Sequence, residues 1–188
     1  MRINAGSAKG RLLKSPRNSK VRPTADKVKS AFFNIIGNAV GGGVFLDLFA
    51  GTGNIGIEAL SRGAGRCVFV DKDRSSLKLI KENLHLAGFA ERALVLGYDV
   101  IRALQILKKK EESFNVIYID PPYFYSRIAP ILETVSVCGL LIAGGYIGVE
   151  RNSRDHCPWL EDIPFQVRQQ KVYGNTRLIL LHGTDAAF

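Results

Sequence analysis

Apolar residues change their spacing along the chain in a regular way. Val28, Ala31, Phe32, Ile35 and Ile36 recur every three to four positions, which predicts an amphipathic helix over 26–36 with Pro23-Thr24 at its entry and Gly37 at its exit. After Gly41-Gly42-Gly43, short apolar runs alternate with helical spacing. The runs at 44–46, 67–70, 93–96, 114–119 and 146–149 read as strands. Between them, helices are predicted over 55–62, through Leu77, Ile80 and Leu84 to Gly88, and through Val100, Ala103, Leu104 and Leu107. A further helix follows through Ile128, Ile131, Leu132 and Val135. Residues 165–172 and 176–181, joined across Tyr173-Gly174-Asn175, read as a hairpin.

This alternation predicts an α/β fold: a doubly wound, Rossmann-like, mostly parallel seven-stranded sheet with an antiparallel last strand, plus a basic N-terminal extension and helix. The 188 residues suit a single domain, 1–43 forming the extension and helix and 44–188 the Rossmann-like core. Ligands of such sheets bind beyond the C-terminal strand ends, where the strand order reverses. The chemistry is therefore expected just after each strand.

Composition narrows the class. With 46% hydrophobic residues and three cysteines, the chain is not disordered, collagenous or disulfide-stapled. Cys67, Cys138 and Cys157 are far apart, so no metal site is expected and a reducing cytoplasmic setting is. No run of about 18 apolar residues exists, so no membrane partner is expected. The net charge of +9 is uneven: residues 1–34 hold nine Lys and Arg against Asp26 alone. Such a segment suits a polyanion partner, a solvated tail or an organellar transit peptide, and charge alone does not separate the three.

The strand ends carry the candidate chemistry. After the first strand, Asp47-Leu48-Phe49-Ala50-Gly51-Thr52-Gly53-Asn54-Ile55-Gly56 contains G-x-G-x-x-G, a tight turn that brings a ligand against backbone amides. Asp47 at that strand end would repel a pyrophosphate and suit a cation, as in S-adenosylmethionine (AdoMet), which carries an ammonium and a sulfonium but no phosphate. Asp71, twenty residues past Gly51, is placed for ribose hydroxyls, and Asp99 for an adenine amine. After the fourth strand stands Asp120-Pro121-Pro122-Tyr123. Its plain reading is a proline-stiffened turn. Its chemical reading is a carboxylate and the Pro121 carbonyl as converging acceptors beside a stacking ring, which suits an exocyclic amine on a flat base. Bonds to both N–H groups would free the amine's lone pair for attack on a methyl group.

Asp47–Gly53 resembles the first motif of class I AdoMet-dependent methyltransferases, and Asp120–Tyr123 the (D/N)PP(Y/F) motif of amino-directed nucleic-acid methyltransferases. Arg2-Ile3, Gly6, Gly10-Arg11, Arg22-Pro23-Thr24, Phe32-Phe33 and the Tyr173–Thr176 turn further resemble the RsmD family, which methylates guanine N2 in small-subunit (16S) ribosomal RNA. That resemblance counts against a transit peptide. It implies AdoMet as cofactor, S-adenosylhomocysteine as product, and small-subunit rRNA in an assembled subunit as partner. By it, Arg22, Thr24, Asp47, Phe49, Ala50, Gly51, Gly53, Asp71 and Asp99 would surround the cofactor. Asp120, Pro121, Pro122 and Tyr123 would hold the guanine. Residues 15–21 depart from the family pattern. The arm is expected along the mouth of the cleft, with Lys9, Arg11, Lys14, Arg17 and Lys20 facing RNA phosphates. Rival readings are a DNA adenine-N6 methyltransferase or another nucleic-acid amino-methyltransferase, a nicotinamide oxidoreductase, and a non-catalytic RNA-binding assembly factor. Asp47 counts against the oxidoreductase.

Overall fold

The computed structural model describes residues 1–16, 23–122 and 125–183, and Pro23, Thr24 and Ala25 in backbone only. Seven strands form one sheet in the order β3-β2-β1-β4-β5-β7-β6. They are β1 (Val44–Leu48), β2 (Arg66–Val70), β3 (Ala93–Leu96), β4 (Phe114–Ile119), β5 (Leu141–Asn152), β6 (Gln166–Tyr173) and β7 (Thr176–His182). The first five run parallel, and β7 lies antiparallel between β5 and β6. The helices are α1 (Pro23–Ile36), α2 (Asn54–Ser61), α3 (Arg74–Ala87), α4 (Val100–Lys109) and α5 (Ile128–Val137).

The central strands are apolar without alternation because helices cover both faces. Phe45, Phe69 and Tyr118 pack on one face with α1, α2 and α3. Leu46, Val68, Ile117 and Ile119 pack on the other with α4 and α5. The chain builds β1, β2 and β3 outward, then returns to place β4 beside β1. The order reverses between β1 and β4, and a crevice opens at their C-terminal ends.

The N-terminal arm corrects an expectation. Residues 1–16 are neither a solvated tail nor a strip along the cleft mouth. Ile3, Ala8 and Leu13 are buried in the core, and Arg2 pairs with Leu12 in a short antiparallel bridge. The Asn4 and Ala5 amides donate to Glu58, and the Ala8 amide donates to the Ser61 hydroxyl. Lys9 therefore sits by the C-terminal end of α2. The Arg11 guanidinium donates to the carbonyls of Leu86 (3.2 Å) and Ala87 (2.8 Å), capping the last turn of α3. That cap is about 20 Å from the end of α3 that faces the cleft, at about 1.5 Å per residue. Lys14 pairs with Glu82 at 2.9 Å. Arg17, Lys20, Arg22 and Tyr123 lie outside the described residues, as does the side chain of Thr24.

A buried ionic knot ties the arm to the helices. Lys29 and Glu58 are both fully buried and 3.1 Å apart. Lys29 also donates to the Arg2 carbonyl and to Asn54, while Glu58 accepts from Arg62. Asn83, itself buried, donates to the carbonyls of Lys14 and Thr52 and so joins the arm to the glycine turn.

Candidate active site

A cleft of about 950 Å³ opens at the C-terminal ends of the parallel strands. Phe49, Gly51, Asp71, Asp99, Asp120, Pro121 and Pro122 line it, together with Tyr125, Glu150, Arg151 and the 174–176 turn. Asp47, Ala50 and Gly53 do not. The sequence-predicted acids after β2, β3 and β4 thus share one cavity, while the acid at the end of β1 lies beneath it.

The glycine turn is built by close packing. Gly53 takes a left-handed backbone conformation as the N-cap of α2. A Cβ at Gly56 would lie 2.3 Å from the Phe69 ring, so only glycine lets α2 approach β2 so closely. Phe49 holds a positive φ of 60°, a strained conformation for an aromatic residue. Its ring meets Tyr125 edge-on at 4.9 Å, forming part of the cleft wall.

Two carboxylates occupy the amides of this turn. Asp47, 2% exposed, accepts from the Gly56 amide at 2.9 Å. Burial, offset in part by that bond and reinforced by the charges of Asp120 and Asp71, raises its carboxyl from 3.8 to about 8. Asp47 was expected to face a ligand's cation; instead it fastens the turn to α2 from below. Asp71 accepts from the Gly51 amide at 2.8 Å and from the Asp73 amide at 2.9 Å. Each of its oxygens keeps a further lone pair for a ligand in the cleft. Asp99 caps α4 through the Ile101 amide at 3.1 Å and also faces the cleft.

Asp120 stands where β4 ends, exposed to the cleft, with protein packed around the base of its side chain. That desolvation raises its carboxyl from 3.8 to about 6. Pro121 is buried, and the Pro122 carbonyl accepts from the Tyr125 amide at 2.9 Å.

Glu150 and Arg151 are among the lining residues that sequence reasoning missed. Glu150 lines the cleft from β5, and its Oε1 accepts from the Tyr118 hydroxyl. Burial first, then the Asp120 charge, raises its carboxyl to about 8, against the lowering effect of the Tyr118 bond. Glu150 directly follows the predicted 146–149 strand, so the strand-end rule that found Asp120 also points to it. Arg151 donates to the Tyr125 carbonyl at 2.7 Å and pairs with Asp155 at 2.6 Å, tying the loop after Pro122 to β5. No local pattern announces that contact.

Comparison with known proteins agrees with this geometry. The family model described as conserved hypothetical protein 95 matches residues 1–182. YlbH of Bacillus subtilis, named provisionally as an rRNA methyltransferase, is 41% identical over 158 residues, covering 84% of this chain and 86% of the relative. The Escherichia coli ribosomal RNA small subunit methyltransferase D is 30% identical over 174 residues, covering 93% of this chain and 85% of the relative. The solved structure of yhhF from Escherichia coli, described provisionally as a methyltransferase, superimposes with a TM-score of 0.84 at 27% identity, covering 99% of each chain. The chain belongs to the conserved hypothetical protein 95 family, the RsmD family that its motifs resemble.

Proposed function

We propose that this chain transfers the methyl group of AdoMet to the exocyclic N2 amine of a guanine in small-subunit rRNA. In this reading it acts in the cytoplasm as one methyltransferase domain, on RNA in the assembled small subunit. The observation that carries the proposal is the occupied glycine turn. The Gly51 and Gly56 amides, which a pyrophosphate would need, are already bonded to Asp71 and Asp47. The same cleft ends at Asp120, Pro121 and Pro122. It therefore suits a cationic, phosphate-free cofactor next to a base amine. The relatives named above support the rRNA substrate. Among the described residues, no helix is long and apolar enough to cross a membrane.

AdoMet, when bound, supplies an activated methyl group, so the protein's task is positioning and polarisation. The free lone pairs of Asp71 take the ribose hydroxyls, and Asp99 takes the adenine amine. Gly51, Phe49, Arg22 and Thr24 complete the cofactor end, with Asp47, Ala50 and Gly53 shaping it from beneath. Asp120 and the Pro121 carbonyl accept the two amine N–H bonds, and this favours a tetrahedral nitrogen whose lone pair points at the methyl group. Tyr123 stacks on the base, and Pro122 stiffens the turn between them. Lys14, Arg17 and Lys20 remain candidates for RNA phosphates. Lys9 and Arg11 leave that set, because they lie at the far ends of α2 and α3.

Nucleoside mass spectrometry tests the reading. Purified protein, labelled AdoMet and unmodified small-subunit rRNA, free and assembled, should yield N2-methylguanosine. N6-methyladenosine would transfer the assignment to an adenine amine. AdoMet-loaded protein that methylates neither substrate would support an assembly factor instead.

A further inference from the structure

Glu150 has no part in the reaction as described above, yet its setting is built with care. Val149 pairs with Ile119 across β5 and β4, so Glu150 and Asp120 are the next residues on neighbouring strands roughly 4.8 Å apart. Tyr118 pairs with Gly148 in the same register, and side chains two residues apart share a sheet face. Tyr118, Asp120 and Glu150 therefore belong to one face. The Tyr118 ring is fully buried, 4.6 Å from the ring of Phe32. Its place depends on Gly148, where a Cβ would fall 2.5 Å from Phe32 and 2.8 Å from Tyr118. So placed, the Tyr118 hydroxyl grips one oxygen of Glu150 and holds the carboxyl beside Asp120 at the cleft wall.

We propose that Glu150 selects the base: its second oxygen accepts the ring N–H that flanks the target amine while Asp120 accepts the amine itself. The inference rests on the guanine-N2 reading and deepens it. Guanine carries an N1–H donor next to its 2-amine, whereas adenine carries an unprotonated N1 next to its 6-amine. An acceptor at this position bonds the first and repels the second. The Tyr118 hydroxyl and a guanine N1–H both donate to the carboxyl and favour its ionised form. A protonated carboxyl would itself donate to an unprotonated N1, so the discrimination is read above pH 8. The competing explanation is that Glu150 only satisfies the buried Tyr118 hydroxyl, and that would affect all bases equally.

The test is a protein-by-base cycle. Small-subunit RNA, free and assembled, carries either guanine or 2-aminopurine at the methylated position. 2-Aminopurine keeps the 2-amine but lacks the N1–H. Wild-type protein should methylate the guanine substrate with a kcat/KM about 10–100-fold above the other, the range for one hydrogen bond to a charged group. Glu150→Ala should lower the guanine value by a similar factor and the 2-aminopurine value by less than about 3-fold. The pair Tyr118→Phe with Glu150→Met leaves no hydroxyl unbonded, so the same comparison can be read if the alanine variant does not fold. Equal losses on both substrates overturn the inference and leave the function standing. Wild-type protein that methylates neither guanine substrate overturns the function, and the inference with it.

Discussion

The N-terminal arm and the strand-end cleft both stand out by charge, yet the fold treats their charges in opposite ways. In the arm and α1 several of the described cations are engaged within the fold. Arg11 caps α3 and Lys29 is sealed against Glu58, while Lys14 holds a surface pair with Glu82. In the cleft Asp71, Asp99, Asp120 and Glu150 keep open space beside them. The net charge of a segment therefore does not reveal which charges can meet a partner. Position relative to the topological switch point does.

Breaking the knot should show the arm's role most strongly. Glu58→Ala leaves the buried Lys29 with only Asp26, 3.9 Å away, as a counter-ion and should cost about 3–5 kcal/mol in urea unfolding. A loss below about 1 kcal/mol would mean that the arm is not held as described. In the cleft, Asp71→Ala should weaken AdoMet binding by about 1.5–3 kcal/mol by calorimetry, with no detectable NADH binding in either protein. NADH binding would undo the argument from the occupied amides.

Asp47 gives a pH-dependent contrast. Its folded carboxyl, at about 8, lies above the ordinary 3.8, so folding takes up a proton between those values. Its burial costs nothing below pH 4, costs progressively more as pH rises, and reaches its full cost above pH 8. Asp47→Asn should therefore match wild type in acid and exceed it by at least about 1 kcal/mol near pH 8. Parallel stability curves would contradict the buried setting. The smallest effect is expected at Arg11. Arg11→Gln should cost about 0.5–1.5 kcal/mol of stability through the lost cap. The salt dependence of RNA binding should not change, whereas a phosphate contact would lower that slope by about 0.7–0.9.

The fold was legible where apolar spacing reports burial. The strands at 67–70, 93–96 and 114–119 and the helix after each follow directly from it. β5 was read too short, as 146–149, because Gly144-Gly145 looks like a turn. The strand instead carries both glycines through an irregularity in its pairing with β4. The packed hairpin of residues 1–16 was not legible, because its three buried residues, Ile3, Ala8 and Leu13, are five apart, a spacing that fits neither a helix nor a strand. Asp71, Asp99 and Asp120 were found because a strand end fixes where a side chain emerges. The Lys29–Glu58 knot and the Arg151–Tyr125 contact join distant parts of the chain, and nothing local announces them.

Asp120 bears most directly on the central claim, that open strand-end carboxylates perform the chemistry. Single-turnover methyl transfer should be measured with AdoMet already bound, alongside AdoMet affinity by calorimetry, for wild type and Asp120→Ala. Affinity should stay within a few-fold while transfer slows by at least about 100-fold, because the lost acceptor is needed in the transition state. Near-normal transfer in Asp120→Ala would contradict the account and reduce Asp120-Pro121-Pro122 to a structural turn.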